Sequence, residues 1–385
     1  MTTRRDLLRG GLALAAAGVA WTTQVHHLLT PAVAANEPGG LDPTARRAVQ
    51  TLLHRARTGE HRPALRRVNP EWDLIERMIG GLALACAALR DPALADEIRP
   101  VLTQLALDTE AAADRRGHAH FLLPYVHGGR WRGPERSLFV DGELALLLGT
   151  ALVLDDNRRL KKALARRTAF VREILEPSPI GSGESYPDEC WAYCNATALA
   201  GLRAAEVLLG EHHDDLMQRF ERGAREHLVH EGTGLLISGY TRRGEQTQPP
   251  EGSTLWWTSH TLRLSAPKLA KEQFELSRTA LLRTRMGFGY ALEWAPGYEA
   301  HVDVDSGGVV PILGAAPASS GLALVAAKSF DDAAMSRALW ASVQLTGFVD
   351  ESEGRWRMRA GNAVGDAVAA YAMVQGPVWS RLGAA

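Results

Sequence analysis

Gly80-Gly-Leu-Ala-Leu-Ala-Cys-Ala-Ala-Leu89, then Arg90-Asp91-Pro92, then the run from Ala93 to Ala113 is the stretch whose reading decides the fold. Its first part is small and apolar on every side, the composition of a helix buried all round. Its last part is striped with charge, the composition of a helix with one face in water. Between them, Asp before Pro stops one helix and starts the next. Two helices joined by so tight a turn lie antiparallel, one inside and one outside.

The same couplet recurs along the chain. Apolar helices are expected at Gly80 to Leu89, Leu144 to Leu154, Ala196 to Leu209, Val309 to Ala327 and Ala363 to Val374, with Trp256 to Leu264 a shorter and more polar member. Striped ones are expected at Pro43 to Arg57, Pro92 to Ala113, Arg158 to Leu175, Asp215 to His230, Pro267 to Leu282 and Asp332 to Leu345. Each apolar helix passes to the next striped one through a tight turn, and each striped helix reaches the next apolar one through a long segment. No convincing series of alternating strand segments interrupts the pattern. Six inner and six outer helices make an all-α chain, and the architecture expected is an (α/α)6 toroid forming a single domain over residues 41–380. Local pattern does not distinguish a closed ring from an open helical array, so closure is inferred from the count of six. All the long segments fall at the N-terminal ends of the inner helices, and function is expected at that mouth.

The first 34 residues read differently. Thr3-Arg4-Arg5-Asp6-Leu7-Leu8 precedes an apolar run from Leu12 to Trp21, and Ala32-Val33-Ala34 offers small residues to a signal peptidase. That is the grammar of a twin-arginine signal peptide, so the twin-arginine export machinery is an expected partner and the periplasm or exterior the expected location. The apolar core is well short of the roughly 20 residues that span a bilayer, so no stable membrane insertion is expected after cleavage. Setting aside Arg4, Arg5, Arg9 and Asp6, the 43 basic and 44 acidic residues become 40 and 43, a charge of about −3. Such a balance gives no footprint for nucleic acid and favours a small-molecule or glycan substrate.

Each long segment brings polar and aromatic residues to the mouth. The densest is Gly183-Glu-Ser-Tyr-Pro-Asp-Glu-Cys-Trp-Ala-Tyr-Cys-Asn195, opening the third inner helix. Asp188 there either caps the helix or does chemistry. Asn195 lies deeper, where its amide needs partners from a structural network or from a ligand. The second segment is Asp303-Val-Asp305-Ser-Gly-Gly-Val, and the third is Asp141-Gly-Glu143; each again offers capping as the plain alternative. Asp141, Glu143, Asp188, Cys194, Asp303 and Asp305 are the catalytic candidates. Tyr186, Trp191, Tyr193, Asn195, Trp256, Trp257, His260, Trp294 and His301 are the candidates for holding substrate, since carboxylates interleaved with aromatic rings suit stacking and acid/base catalysis.

Three cysteines, Cys86, Cys190 and Cys194, exclude a disulfide scaffold. Cys190 and Cys194 fall four apart on an apparent helix and read as buried thiols or site residues. His118-x-His120 with His127 has no recognised zinc spacing, and neither a phosphate-binding loop nor a dinucleotide fingerprint occurs, so no metal or other cofactor is expected.

On Glu184 to Asn195 and Asp303 to Gly307 the chain resembles exported (α/α)6-toroid proteins. Within that class Cys194-Asn195 is similar to the segment of linalool dehydratase/isomerase-like proteins in which a catalytic cysteine precedes an asparagine. That family carries a second cysteine upstream, before a Pro, where Ser185 stands here. Six-hairpin glycosidases are similar by architecture over nearly the whole mature chain. The leading expectation is a cofactor-independent acid/base enzyme for a glycan or glycoside. The alternatives are a lyase or isomerase using Cys194 on an apolar alcohol and a non-catalytic binding toroid.

Overall fold

The computed structural model describes residues 4–29, 40–299, 307–310 and 312–384. The candidates His301, Asp303 and Asp305, and the expected cleavage site at Ala32 to Ala34, lie outside the described residues. Helix α1 (Arg4–Leu29) is followed by α2 (Pro43–Thr58), the short α3 (Arg62–Val68), α4 (Glu71–Arg90), α5 (Pro92–Arg116), α6 (Leu138–Leu154), α7 (Arg158–Leu175), α8 (Ala192–Leu209) and α9 (Asp214–His227). Then come α10 (Gly252–Thr261), α11 (Pro267–Leu281), α12 (Pro317–Ser329), α13 (Ala333–Thr346), α14 (Ala363–Val374) and α15 (Pro377–Arg381). No described helix is long and apolar enough to cross a membrane.

The even-numbered helices from α4 to α14 form the inner ring. Each packs on the next, and α14 packs back on α4, which closes the toroid. Helix α2 is tied to the last couplet by an Arg55–Asp366 ion pair at 2.7 Å and by the Thr51 hydroxyl donating to the Trp356 carbonyl at 2.8 Å. The small residues of the inner helices have a steric reason. A methyl group on Gly142 of α6 would stand 2.9 Å from Ala198 Cβ on α8, and one on Gly201 of α8 would stand 2.7 Å from Ala145 Cβ. Both are closer than real Cβ contacts, so the two helices approach at a distance only glycine and alanine permit.

Sequence cues set most helix starts. Asp42 and Asp91 cap α2 and α5 ahead of Pro43 and Pro92, and Asn157 and Asp332 cap α7 and α13. Several inner helices begin earlier than apolar periodicity indicates. Helix α4 starts at Glu71 and not Gly80, α6 at Leu138 and not Leu144, because Glu71, Asp73, Glu76 and Arg77 in α4 and Asp141 and Glu143 in α6 interrupt the apolar pattern near the mouth. Helix α12 runs the other way, starting at Pro317 and not Val309.

The long segments also hold strands that the sequence pattern does not reveal. β1 (Glu184–Tyr186), β2 (Glu189–Trp191), β3 (Gly239–Tyr240) and β4 (Gln246–Gln248) pair antiparallel in that order, joining the segments before α8 and α10. Hairpins β5–β6 (Leu282–Arg285, Phe288–Ala291) and β7–β8 (Val349–Asp350, Arg357–Met358) sit before α12 and α14. With two to four residues each, they are too short to show a period of two. Cys190 is on β2, not on a helix, so it and Cys194 do not share a helical face; all three cysteines are free and buried.

Candidate active site

Two apolar clusters build the molecule. The larger fills the ring and the space between ring and outer helices. The smaller sits at the mouth beneath α4, α6 and α8 and includes Leu74, Phe121, Val140, Leu144, Tyr186 and Cys194, with Trp191 and Tyr193 packed against it. Into this second cluster α6 carries Glu143.

Glu143 is 0 % exposed, and neither carboxyl oxygen has a hydrogen-bond partner of good geometry. The Tyr193 hydroxyl lies beside it and is also enclosed without a full hydrogen bond. Burial pushes the Glu143 carboxyl up to about 8, against an opposing pull from Tyr193 and with a further push from Glu71. Glu143 is therefore a carboxylic acid at neutral pH. Buried groups of this kind are nearly always hydrogen-bonded, and a bare one in a mouth marks a place where a partner is expected to arrive.

Around it stand groups from three inner helices and two loops. Glu71, in the first turn of α4, accepts a hydrogen bond from the Tyr186 hydroxyl, which itself accepts from the Leu123 amide at 2.7 Å. Tyr125 stacks on Tyr186 with ring centroids 4.5 Å apart, holding that hydroxyl in place. Tyr193 in turn stacks on Trp257 of α10 at 5.8 Å, and the Trp257 indole donates to Thr197 at 2.9 Å. The Trp191 indole donates to Glu189, whose carboxylate also receives the Tyr125 hydroxyl at 3.3 Å. Cys194 lies against the Ser185 hydroxyl, and burial, reinforced by Glu71, Glu143 and Glu189, drives its thiol pKa well up, so the sulfur stays protonated.

The remaining candidates separate from this cluster. Asp141 faces the outer helices, where its carboxylate accepts from Arg136 at 2.9 and 3.0 Å and from Arg167 at 2.6 Å. Arg167 also pairs with Glu110 and Asp114, so Asp141 is one anion of a buried structural network. Asp188 does not cap α8. It occupies the turn between β1 and β2 at φ 60°, pairs with the half-exposed Arg132 at 3.1 Å and sits outside the buried cluster. Helix α8 starts instead after Trp191, with no side-chain cap. Asn195 spends its amide on the backbone: it accepts from the Gly183 amide at 2.8 Å and donates to the Gly183 and Trp191 carbonyls at 3.2 and 2.9 Å. It tethers the Gly183 segment to α8, and both of its N–H donors are used in doing so.

His260 is enclosed deeper in the ring, its two nitrogens 2.6 Å from the Ser329 hydroxyl and 2.9 Å from the Tyr371 hydroxyl, and burial holds it neutral. The Trp256 indole donates to Ser319 at 3.1 Å in the core. Trp294 is half-buried with its indole N–H enclosed and unpartnered. Next to it is a residue absent from the expected catalytic set: Glu293, 1 % exposed, receives the Ser253 amide at 3.2 Å and has one free oxygen, and burial lifts it to about 7. Glu71, Ser185 and Glu293 are visible in the sequence as polar residues of the mouth segments, but nothing local ranks them above their neighbours. Among the described residues no three His, Cys, Asp or Glu are arranged to hold a metal ion.

The closed ring and its loop-built mouth define the class: an (α/α)6 toroid, here with buried carboxyl, phenol and thiol groups gathered at the N-terminal ends of its inner helices. No family model and no curated protein matches the chain by sequence. Solved structures do match. The unsaturated glucuronyl hydrolase of Bacillus sp. GL1, described as responsible for the degradation of glycosaminoglycan, is similar over 77 % of this chain and 84 % of that one, at 11 % identity and a TM-score of 0.52. The unsaturated glucuronyl hydrolase of Streptococcus agalactiae is similar over 77 % and 80 %, at 10 % identity and a TM-score of 0.50. An alpha-mannanase of Bacteroides thetaiotaomicron is similar over 64 % and 70 %, at 13 % identity and a TM-score of 0.42. For the two glucuronyl hydrolases, at such identities, the likeness is one of fold.

Proposed function

We propose that the protein cleaves a glycan or glycoside, with Glu143 as the general acid that protonates the departing oxygen and Glu71 as the second carboxylate. One observation carries this reading: Glu143 is a buried, neutral carboxylic acid with both oxygens unpartnered, next to the Tyr193 hydroxyl, in the mouth of the ring. Breaking a C–O bond needs a proton at the oxygen, and a carboxyl poised near neutral pH supplies it. The partly exposed rings of Tyr193 and Trp191 offer faces on which a sugar stacks. The glycan substrates named for the glucuronyl hydrolases of like fold add to the choice of substrate class. Glu143→Gln removes the acidic proton and keeps the shape of the side chain. Turnover of a panel of aryl glycosides and glycosaminoglycan disaccharides should then fall by roughly a hundredfold or more. Unchanged turnover in a folded Glu143→Gln variant defeats the reading.

A second reading is favoured by the surroundings of Cys194. Its protonated thiol lies in the apolar layer of Leu74, Phe121 and Leu144 and faces Ser185, the position where the linalool dehydratase/isomerase-like segment has its second cysteine. There Glu143 would protonate an alcohol, water would leave, and Cys194, handing its thiol proton to Glu71, would take the carbon-bound proton. Cys194→Ser separates the two. It should change glycoside turnover by no more than a few-fold, whereas loss of activity only toward apolar alcohols selects the lyase.

For localisation we propose twin-arginine export to the periplasm or beyond, on Arg4-Arg5 ahead of the apolar part of α1. Replacing both arginines by Lys in a reporter fusion of residues 1–40 should stop export, and undiminished export removes the assignment.

A further inference from the structure

On the other side of α4 from Glu71 lies a cavity of about 460 Å³ with an opposite chemistry. Glu71 and Asp73 are two residues apart on a helix and so turn about 200° from each other. Asp73 points into this second cavity, and the Phe121 ring forms the partition: Arg66 and Arg77 lie over it at 5.9 and 5.8 Å, while Phe121 itself belongs to the apolar layer of the mouth. Arg62, Arg66, Arg67, Arg77 and Arg116 line the cavity, with Asp73 the single carboxylate among its walls.

That carboxylate is shared three ways. Asp73 receives Arg77 at 2.8 and 3.2 Å, Arg66 at 3.4 Å and Arg62 at 3.9 Å. Glu76, next along α4, is engaged by His61 at 3.1 Å, and Glu76 and Asp108 reach Arg62 only through space. Two donors of a lining residue go unused: the Arg62 Nε and Nη2 groups are enclosed with no hydrogen-bond partner. His120 makes the imbalance larger. Its Nδ1 is 3.1 Å from Arg66 and its Nε2 3.3 Å from Arg116. A neutral imidazole has one accepting nitrogen and a guanidinium has none, so one of these contacts sets N–H against N–H. Burial and the arginines hold His120 down at about 4, so it adds no charge of its own. The crowding is built into the backbone as well. Gly59 closes α2 at φ 62°, and a Cβ there would stand 2.8 Å from Arg62 Nη1.

We infer that this cavity binds a dianionic oxyanion of the phosphate or sulfate type, free or esterified to a sugar, with Arg62 as its principal donor and Arg66, which also donates to the His120 carbonyl at 2.8 Å, beside it. Five lining arginines against one lining carboxylate, and unused guanidinium donors on Arg62, are the conditions under which such an anion gains most from fork-shaped, charge-assisted hydrogen bonds. The inference stands apart from the chemistry of Glu143, which faces the other side of α4.

Titration calorimetry on the full chain, with inorganic phosphate and then sulfate at constant ionic strength, tests it. One saturable site per chain is expected, weakened at least about tenfold by Arg62→Gln and by Arg66→Gln. Arg203→Gln, in the cavity at the opposite end of the ring, should change nothing. A thermal melt in anion-free buffer guards against misfolding. Removing one of several crowded like charges should raise the Tm of Arg62→Gln, and adding phosphate should raise wild-type Tm but not the variant's. Glucose 6-phosphate binding tighter than phosphate identifies a sugar-borne group, and the reverse order a free anion. No saturable binding up to about 20 mM, or binding untouched by Arg62→Gln, overturns the inference, as does a lowered anion-free Tm for that variant.

Discussion

Asp141 and Glu143 stand two residues apart on α6, and both are as good as inaccessible, at 1 % and 0 % exposure. Yet Asp141 accepts three hydrogen bonds from two arginines, while Glu143 has none of good geometry. The 200° turn between them is the whole cause: one side of α6 meets the arginine-bearing outer helix α7, the other the apolar layer of the mouth. The pair teaches that burial of a carboxylate says nothing of its role. Surrounded by guanidinium groups it is a fixed anion of the fold; surrounded by Leu, Val and Phe it is a neutral acid.

The sharpest break of that comparison exchanges the readouts. Glu143→Gln should cost about a hundredfold or more in turnover and leave the melting curve where it was or higher. The second-largest effect is the converse. Asp141→Ala leaves Arg136 and Arg167 facing each other without their shared anion, and unfolding by urea should show a loss of about 3 kcal/mol. If Asp141→Ala proves as stable as the parent, the network is not structural and the contrast collapses.

The pH dependence sharpens the contrast further. Glu143 titrates near 8 in the folded chain and near 4.5 when unfolded, so between those values the folded state binds the extra proton. Its contribution to stability is full below about 4.5 and is lost as pH rises toward 8. Wild-type Tm should therefore fall relative to Glu143→Gln over that window, and turnover should decline above about 8 as the acid loses its proton. A difference in Tm that stays constant from pH 5 to 8 places the raised carboxyl elsewhere.

A smaller effect is expected at Asn195. Its replacement by Ala orphans the Gly183 amide and carbonyl, a cost of about 1–3 kcal/mol in urea unfolding. Smallest of all, Tyr193→Phe keeps the ring stacked on Trp257 and removes only the hydroxyl beside Glu143. Stability should hold within about 1 kcal/mol, and the alkaline limb of the pH–rate profile should shift upward, since the hydroxyl favours the charged form.

Much of the ring was legible because helix burial writes itself into composition. Small apolar residues all round gave the inner helices, striping gave the outer ones, and Asp-Pro gave the turns. The mouth was less legible. Asp188 and Asp141 look like site residues in sequence for the same reason Glu143 does, being acidic residues near the start of an inner helix. Asn195 reads as a substrate-holding residue because a buried amide must be satisfied, and the Gly183 backbone it bonds is 12 residues away in sequence. The two-to-four-residue strands leave no periodic trace at all.

What the sequence by itself determined was the number of couplets, which helix of each lies inside, and that the long segments collect at one end. These follow from local composition and turn chemistry, which need no distant partner. Closure of the ring by α14 on α4, the neutral state of Glu143, the pairing of Asp141 with Arg167 and the gathering of five arginines around one aspartate were decided only by tertiary structure. Each depends on which residues from separate couplets meet, and on the dielectric they meet in. A chain's local pattern carries no record of either.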